Sequence, residues 1–282
     1  VIRRSTLRAQ IASALRDEIM AGRLPTGREF TVKEIAEQYG VSATPVREAL
    51  VDLAAQGLLE VRQHRGFRVH EFTLADFRAM VDARSLVFDG VFRRALARAG
   101  GGHDPHDGAG VPGPRTGRAS CAAAARQLAD PATLASVRRR AQAAERAALA
   151  GDLDVLIGYD LRYWRELGNM VGNPYAAEFL DRLRVQCWAF AVSRLRRERD
   201  LRGRLWAGHQ ELLAAVERAD AATAERLIKA YDAHALELVH GLRARGEPSV
   251  EHQAESGTGN EGRSRDREEA NPGLGPGASA AD

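Results

Sequence analysis

Between Lys33 and Arg65 lie side chains with the chemistry to grip a nucleic-acid duplex: Lys33, Ser42, Thr44, Arg47, His64 and Arg65. Arg47 offers a planar fork of N–H donors that matches the O6 and N7 acceptors of guanine in a major groove. Ser42 and Thr44 carry short hydroxyls that suit phosphate oxygens, and Lys33 suits the backbone or a base edge. His64 and Arg65 have the shape and charge to enter a minor groove. Each also has a plainer reading. Arg47 can pair with Glu48 or Asp52 of its own helix. Lys33, His64 and Arg65 can be solvated surface residues, and the whole stretch can be a protein-docking module.

The elements that would position these residues are legible from local signals. Leu7, Ile11, Leu15 and Ile19 recur every four residues and predict a first amphipathic helix over 6–21, ended by Gly22. Pro25 and Gly27 punctuate a turn. Thr31 and Glu34 have capping-box spacing, and Phe30 and Ile35 fall at the hydrophobic-staple positions of a second helix that stops at Gly40. A third helix follows almost at once, started by Ser42 or Thr44, with Pro45 in its first turn and Val46, Leu50 and Leu53 on its core face. Leu58–Arg62 and Phe67–His70 alternate apolar and polar, as half-buried strands do, around the tip Gln63-His64-Arg65-Gly66. Three helices and a two-stranded hairpin make a winged helix-turn-helix.

From Thr73 onward only helical patterns appear, so the fold class is mainly α: the winged helix-turn-helix followed by an all-helical bundle. Phe77–Ala99 reads as one long helix. Residues 100–118 hold seven Gly and three Pro and read as a flexible insertion, in which His103 and His106 look metal-like but lack a rigid frame. Helical pattern resumes near Ala119, with Asp152, Asn173 and Asp220 as helix starts and Gly151, Gly172 and Gly203 as breaks. Residues 246–282 lack periodicity and read as a disordered tail. The domain expectation is therefore 1–72 for the winged helix, 73–245 for the bundle and 246–282 for the tail.

Composition narrows the function class. A chain of 282 residues, 44% hydrophobic, can build two cored domains. From Gly246 on, three Arg face eight acidic residues, a net of −5, so within the overall +3 residues 1–245 carry +8. A basic body fits a polyanionic partner. Cys121 and Cys187, at unrelated spacing, suggest neither a disulfide framework nor a zinc-cysteine site, which points to a reducing cytoplasm. There is no apolar run long enough for a membrane span and no signal-peptide core at the start. No GxSxG, phosphate-binding Gly loop or HExxH occurs, so the reading is of a binding protein rather than an enzyme.

The stretch RLPTGREFTVKEIAEQYGVSATPVREALVDLAAQGLLEVRQHRGFRV resembles the N-terminal domain of the GntR family of bacterial transcription regulators; VSxTPVREAL followed by GLL is the specific part. The helical remainder resembles the FCD-type domain of the FadR subfamily through ARSLVF, AGDLDVLIGYDLRYWREL, GNPYAAEFLDRLR and GHQELLAAVERADAATAERLIKAYDAHAL. Together these cover residues 5–245 apart from the Gly/Pro insertion. The resemblance implies double-stranded DNA contacts at Lys33, Arg47 and the wing tip. It departs at Ala43, where the family usually has Arg.

For the bundle, the resemblance implies a divalent metal, zinc or a similar ion, held by an Asp and three His. Asp160, His209 and His234 match three of those positions; the fourth is Trp164, whose indole cannot ligate. An organic-acid effector could complete a three-ligand shell, or Trp164 could replace the metal with an apolar wall. Arg84 falls where relatives place a pocket arginine, and can clamp a carboxylate or pair with Asp82 or Asp89. Asn173 is a helix start first and a pocket residue second. The implied protein is a cytoplasmic homodimer reading a pseudo-palindromic operator, with no membrane partner, as a repressor released by a small-molecule effector such as an organic acid. The competing readings are a metal-free acyl-CoA-type sensor and a metal-dependent enzyme with an accessory DNA-binding domain.

Overall fold

The computed structural model describes residues 6–99, 130–170 and 173–246, all within one compact unit. The Gly/Pro insertion, the helix restart near Ala119, Cys121, Gly172 and the acidic tail beyond Gly246 lie outside the described residues.

The N-terminal part runs α1 (Leu7–Met20), β1 (Glu29–Phe30), α2 (Val32–Tyr39), α3 (Ala43–Ala55), β2 (Leu59–Arg62) and β3 (Gly66–Val69). The predicted capping box is formed: the Glu34 amide donates to Thr31 Oγ1 at 3.2 Å, and the Thr31 amide donates to the Glu34 carboxylate at 2.5 Å. Gly40 ends α2 in the left-handed conformation (φ 64°). The core face of α3 is Val46, Ala49, Leu50 and Leu53, all fully buried. Leu7, read as part of the α1 core face, is instead half exposed; Ile11, Ala12, Leu15, Ile19 and Met20 form that face.

The wing has three strands rather than two. The order is β1-β3-β2, all antiparallel, with Phe30 opposite Phe67 and Val61 opposite Phe67 on the other side. A two-residue strand carries no period and could not be read from the sequence. Gly66 is where β1 and the tip meet. Its φ is 102°, and a Cβ there would sit 2.4 Å from the Phe30 carbonyl oxygen. Gly66→Ala should therefore destabilise the fold by about 1–3 kcal/mol, measured by urea unfolding; a loss below about 0.5 kcal/mol would show that the wing relaxes freely.

The helical part comprises α4 (Leu74–Ala99), α5 (Pro131–Ala150), α6 (Leu153–Met170), α7 (Pro174–Leu195), α8 (His209–Glu217) and α9 (Ala221–Gly246). The described residues after Val69 contain no strand. The expected starts are present: Asp152, Asn173 and Asp220 each accept an amide hydrogen three residues on. Helix α4 begins earlier than Phe77 because Thr73 and Asp76 form a reciprocal cap of their own. Helix α5 packs an alanine-rich face, Ala141, Ala144 and Ala148, against α6.

Helix α7 is the centre of the bundle. From Leu183 to Leu195 its residues are buried or half-buried on every side, so that stretch is covered all round, while Tyr175, Glu178 and Arg182 of the first turns are exposed. It touches α1, α4, α6 and α9. One apolar cluster runs without a break from Ile11, Leu15, Leu50 and Leu53 to Ala144, Leu153, Val185, Ala189 and Leu195. The winged helix and the bundle therefore share a core. Polar contacts reinforce the seam: the Gln186 amide donates to the Gln56 carbonyl at 2.7 Å, and Arg196 donates to the Met20 carbonyl at 3.3 Å.

Candidate functional site

Helices α2 and α3 bring Lys33, Ala43 and Arg47 to the rim of a single surface depression, with Val32, Ala36, Glu37, Gly40 and Val41. Lys33, Ser42, Ala43, Thr44 and Arg47 are all exposed. Among the described residues Arg47 forms no ion pair: Asp52, one of its two candidate partners, pairs with Arg8 at 2.9 Å instead. Lys33 has only a long contact with Glu37, 3.8 Å, in full solvent. Ser42 occupies the N-cap position of α3, but its hydroxyl makes no capping hydrogen bond and is left for an outside acceptor. His64 and Arg65 stand exposed at the wing tip, with His64 at φ 61°. This is a helix N-terminus with free donors presented beside a hairpin, a geometry that fits a DNA groove and its phosphates.

The second site is a cavity inside the bundle, enclosing about 580 Å³ of space not filled by atoms, part of it open to solvent. Phe77, Leu156, Ala191, Leu195, Leu238 and Val239 give it apolar walls; Arg84, Asp160, Arg184, Tyr231 and His234 give it a polar end. Asp160 is fully buried, and both of its oxygens are occupied. Oδ1 accepts Trp164 Nε1–H at 3.0 Å and lies 3.0 Å from His209 Nε2; Oδ2 accepts Trp188 Nε1–H at 2.7 Å. Burial alone would push the Asp160 carboxyl up, but His209, Arg184 and Trp188 together hold it below its usual range. The Arg84 guanidinium pairs with Asp232 of α9, with Nε at 3.0 Å. Burial and the neighbouring Asp160 push the Tyr231 hydroxyl up to about 12, so it stays neutral, and it accepts from the Arg184 guanidinium at 3.0 Å.

Two family patterns match this chain. That of the bacterial regulatory proteins of the gntR family covers residues 7–69, and that of the FCD domain covers residues 119–234. The chain carries a GntR-family DNA-binding domain followed by an FCD domain. It is similar to a Paenarthrobacter nicotinovorans protein named "Probable D-xylose utilization operon transcriptional repressor", with 44% identity over 94 residues, 33% of this chain and 41% of that one. The HTH-type transcriptional repressor RspR of Escherichia coli K12 is 35% identical over 88 residues, 31% of this chain and 39% of its own length. These matches thus span about two fifths of the curated relatives. The fold extends further: the structure of E. coli McbR/YncC superposes with a TM-score of 0.58 at 20% identity, over 86% of this chain and 99% of that one.

Against the expectations for a GntR regulator with an FCD domain, the cavity departs in three ways. First, the implied metal ligands do not assemble. Asp160 and His209 are neighbours and His234 lines the cavity, yet among the described residues no three His, Cys, Asp or Glu side chains are grouped to hold a metal. The carboxylate already accepts two indole N–H groups, which are donors only and would be orphaned in the interior if a metal took their place. The donor set does not fit the metal. Second, Asn173 is no pocket residue: it is exposed and its side chain caps α7 through the Ala176 amide at 3.1 Å. Third, Arg84 pairs with neither Asp82 nor Asp89 but with Asp232, on a distant helix. Trp164 stands behind the polar end rather than on the cavity wall, under the Arg184 guanidinium at 3.9 Å.

Arg184, Tyr231, Asp232 and Trp206 went unremarked in the sequence. A signal existed for two of them. Leu180, Leu183, Arg184 and Cys187 follow the i, i+3, i+4, i+7 stripe of a buried face, as do Ile228, Tyr231, Asp232 and Ala235. A charged residue inside such a stripe, once on each of two helices, marks buried charge.

The empty corner at Ala43 has its own consequence. It is the first residue of α3, exposed beside Arg47, and its methyl suits a thymine methyl. Ala43→Arg should add a base contact and shift the preferred operator toward guanine at one position per half-site by about 1–3 kcal/mol. Selection of bound sequences from a random pool compares the two proteins; identical preferred sequences would refute it.

Proposed function

We propose that this chain is a ligand-responsive transcription regulator that binds double-stranded DNA as a homodimer, acts in the cytoplasm as a repressor and is released by a small organic effector in the bundle cavity. The observation that carries the reading is the presentation of Arg47, unpaired among the described residues, at the exposed start of α3, with Lys33, Ser42 and Thr44 around it. The names of the two curated relatives support repression rather than activation. One winged helix covers only a half-site, so two copies about a two-fold axis read an inverted repeat.

The route from effector to DNA runs through α7. Arg184, Cys187, Trp188 and Ala191 of this helix line the cavity, while Gln186 holds the carbonyl of Gln56, the C-cap residue of α3. A ligand that favours one placement of α7 favours one placement of the recognition helix, and its differential affinity sets the coupling. No described helix is long and apolar enough to cross a membrane.

The test is selection of genomic fragments by the full chain at physiological salt, followed by footprinting. The expected result is an inverted repeat with half-site centres about one helical turn, ~10 base pairs, apart. Protection without any sequence preference would sink the reading in favour of a general DNA-coating protein.

A further inference from the structure

The charges at the polar end of the cavity are unequally matched. Arg84 has Asp232, and Asp160 has two indoles and His209. Arg184 is only 2% exposed, yet among the described residues it pairs with no carboxylate. Its single hydrogen bond goes to the Tyr231 hydroxyl at 3.0 Å, and its faces stack on the Trp164 and Tyr231 rings. A guanidinium carries five N–H donors, so most of the fork is left for something else. His234 lines the same cavity, and among the described residues its buried Nε2 has no partner. A desolvated cation in this state calls for an anion.

The rest of the cavity limits what that anion is. Beyond the polar end the walls are aliphatic or aromatic, so the body of the ligand is apolar. Arg84 and Arg184 face Asp160 and Asp232, so the ligand's own charge must be small, and the open side of the Arg184 fork fits one carboxylate in two parallel hydrogen bonds. Phosphates, with a second charge, would lie uncompensated here. We infer that this cavity binds an apolar monocarboxylate directly on Arg184, with no metal between them. In this arrangement Trp164 does two jobs that a fourth ligand could not: its N–H holds Asp160, and its face supports the guanidinium. The assignment rests on the effector reading of the cavity.

The experiment uses the full chain dialysed against EDTA. Calorimetric titration compares octanoate and phenylacetate with octanamide and phenylacetamide, and DNA affinity is measured on the same samples. The acids should bind saturably, and the amides at least about tenfold more weakly, because the charge-assisted pair is lost. Arg184→Gln should abolish acid binding while circular dichroism shows the chain still folded. Should that variant fail to fold, Ala191→Phe, which fills the cavity from α7 and leaves Arg184 in place, should abolish it instead. Equal binding of acids and amides, undiminished acid binding by the variant, acid binding only after zinc or nickel is restored, or no acid binding at all would each overturn the inference. Acid binding by a protein without DNA affinity would leave the inference standing and remove the proposed function; the reverse result would do the opposite.

Discussion

Asp160→Ala is expected to destabilise the protein by about 3–5 kcal/mol, the range for removing one partner from a buried charged network. The substitution leaves the N–H groups of Trp164 and Trp188 without an acceptor, strips His209 of its partner, and removes one of the negative charges that act on Arg184. Urea unfolding followed by tryptophan fluorescence measures the loss directly, since two of the reporters surround the site. Asp160→Asn should lose less, because one carbonyl oxygen remains to accept. The pH dependence has a definite sign. The folded carboxyl lies below its ordinary range, so its contribution is fully present above about pH 4, the unfolded value, and disappears as the pH falls further through the folded value. The gap between wild type and Asp160→Ala should thus be flat at neutral pH and close in acid. A neutral-pH difference under about 1 kcal/mol would mean that the buried network does not hold together in solution.

Arg47→Ala has the largest expected effect on DNA binding. Loss of a bidentate base contact weakens discrimination by about 1–3 kcal/mol per half-site, and a dimer loses it twice. Non-specific affinity should fall far less. Stability should not change, since the side chain is exposed and, among the described residues, forms no ion pair. Lys33→Ala, by contrast, should weaken binding to all sequences alike and reduce the salt slope by about one for each phosphate contact removed. Fluorescence anisotropy on the selected operator and on a scrambled duplex, across a salt series, separates the two behaviours. An Arg47→Ala protein with unchanged sequence preference would place base readout elsewhere on the surface.

The DNA-reading half was nearly all legible in advance because its determinants are local. A capping box spans three residues, a left-handed glycine acts on its own peptide unit, and a core face repeats every three or four positions. Thr31, Glu34, Gly40, Val46, Leu50 and Leu53 do in the structure what these rules predict. Exceptions arise where a neighbour decides: β1 exists only because β3 is there to pair with it, and Leu7 is half exposed because no described residue covers it on the first turn of α1.

The bundle behaves differently. Its helices and their caps were readable, but the partners of its buried charges were not. Arg84 meets Asp232 from 148 residues away, and Asp160 meets Trp188 from 28 and His209 from 49. Matching positions to a family brought Asp160, His209 and His234 together as a metal set, and spacing alone could not correct that. What separates a metal site from an indole-capped carboxylate is whether each buried donor already has an acceptor, and that is a property of three-dimensional neighbours. By itself, then, the sequence determined where most of the helices lie, which residues cap α2, α6, α7 and α9, and which end of α3 faces outward, because backbone capping and periodicity act within a few residues. Only the tertiary structure decided that Arg184 is the cation left unmatched among the described residues, because charge pairing in an interior depends on which helices meet.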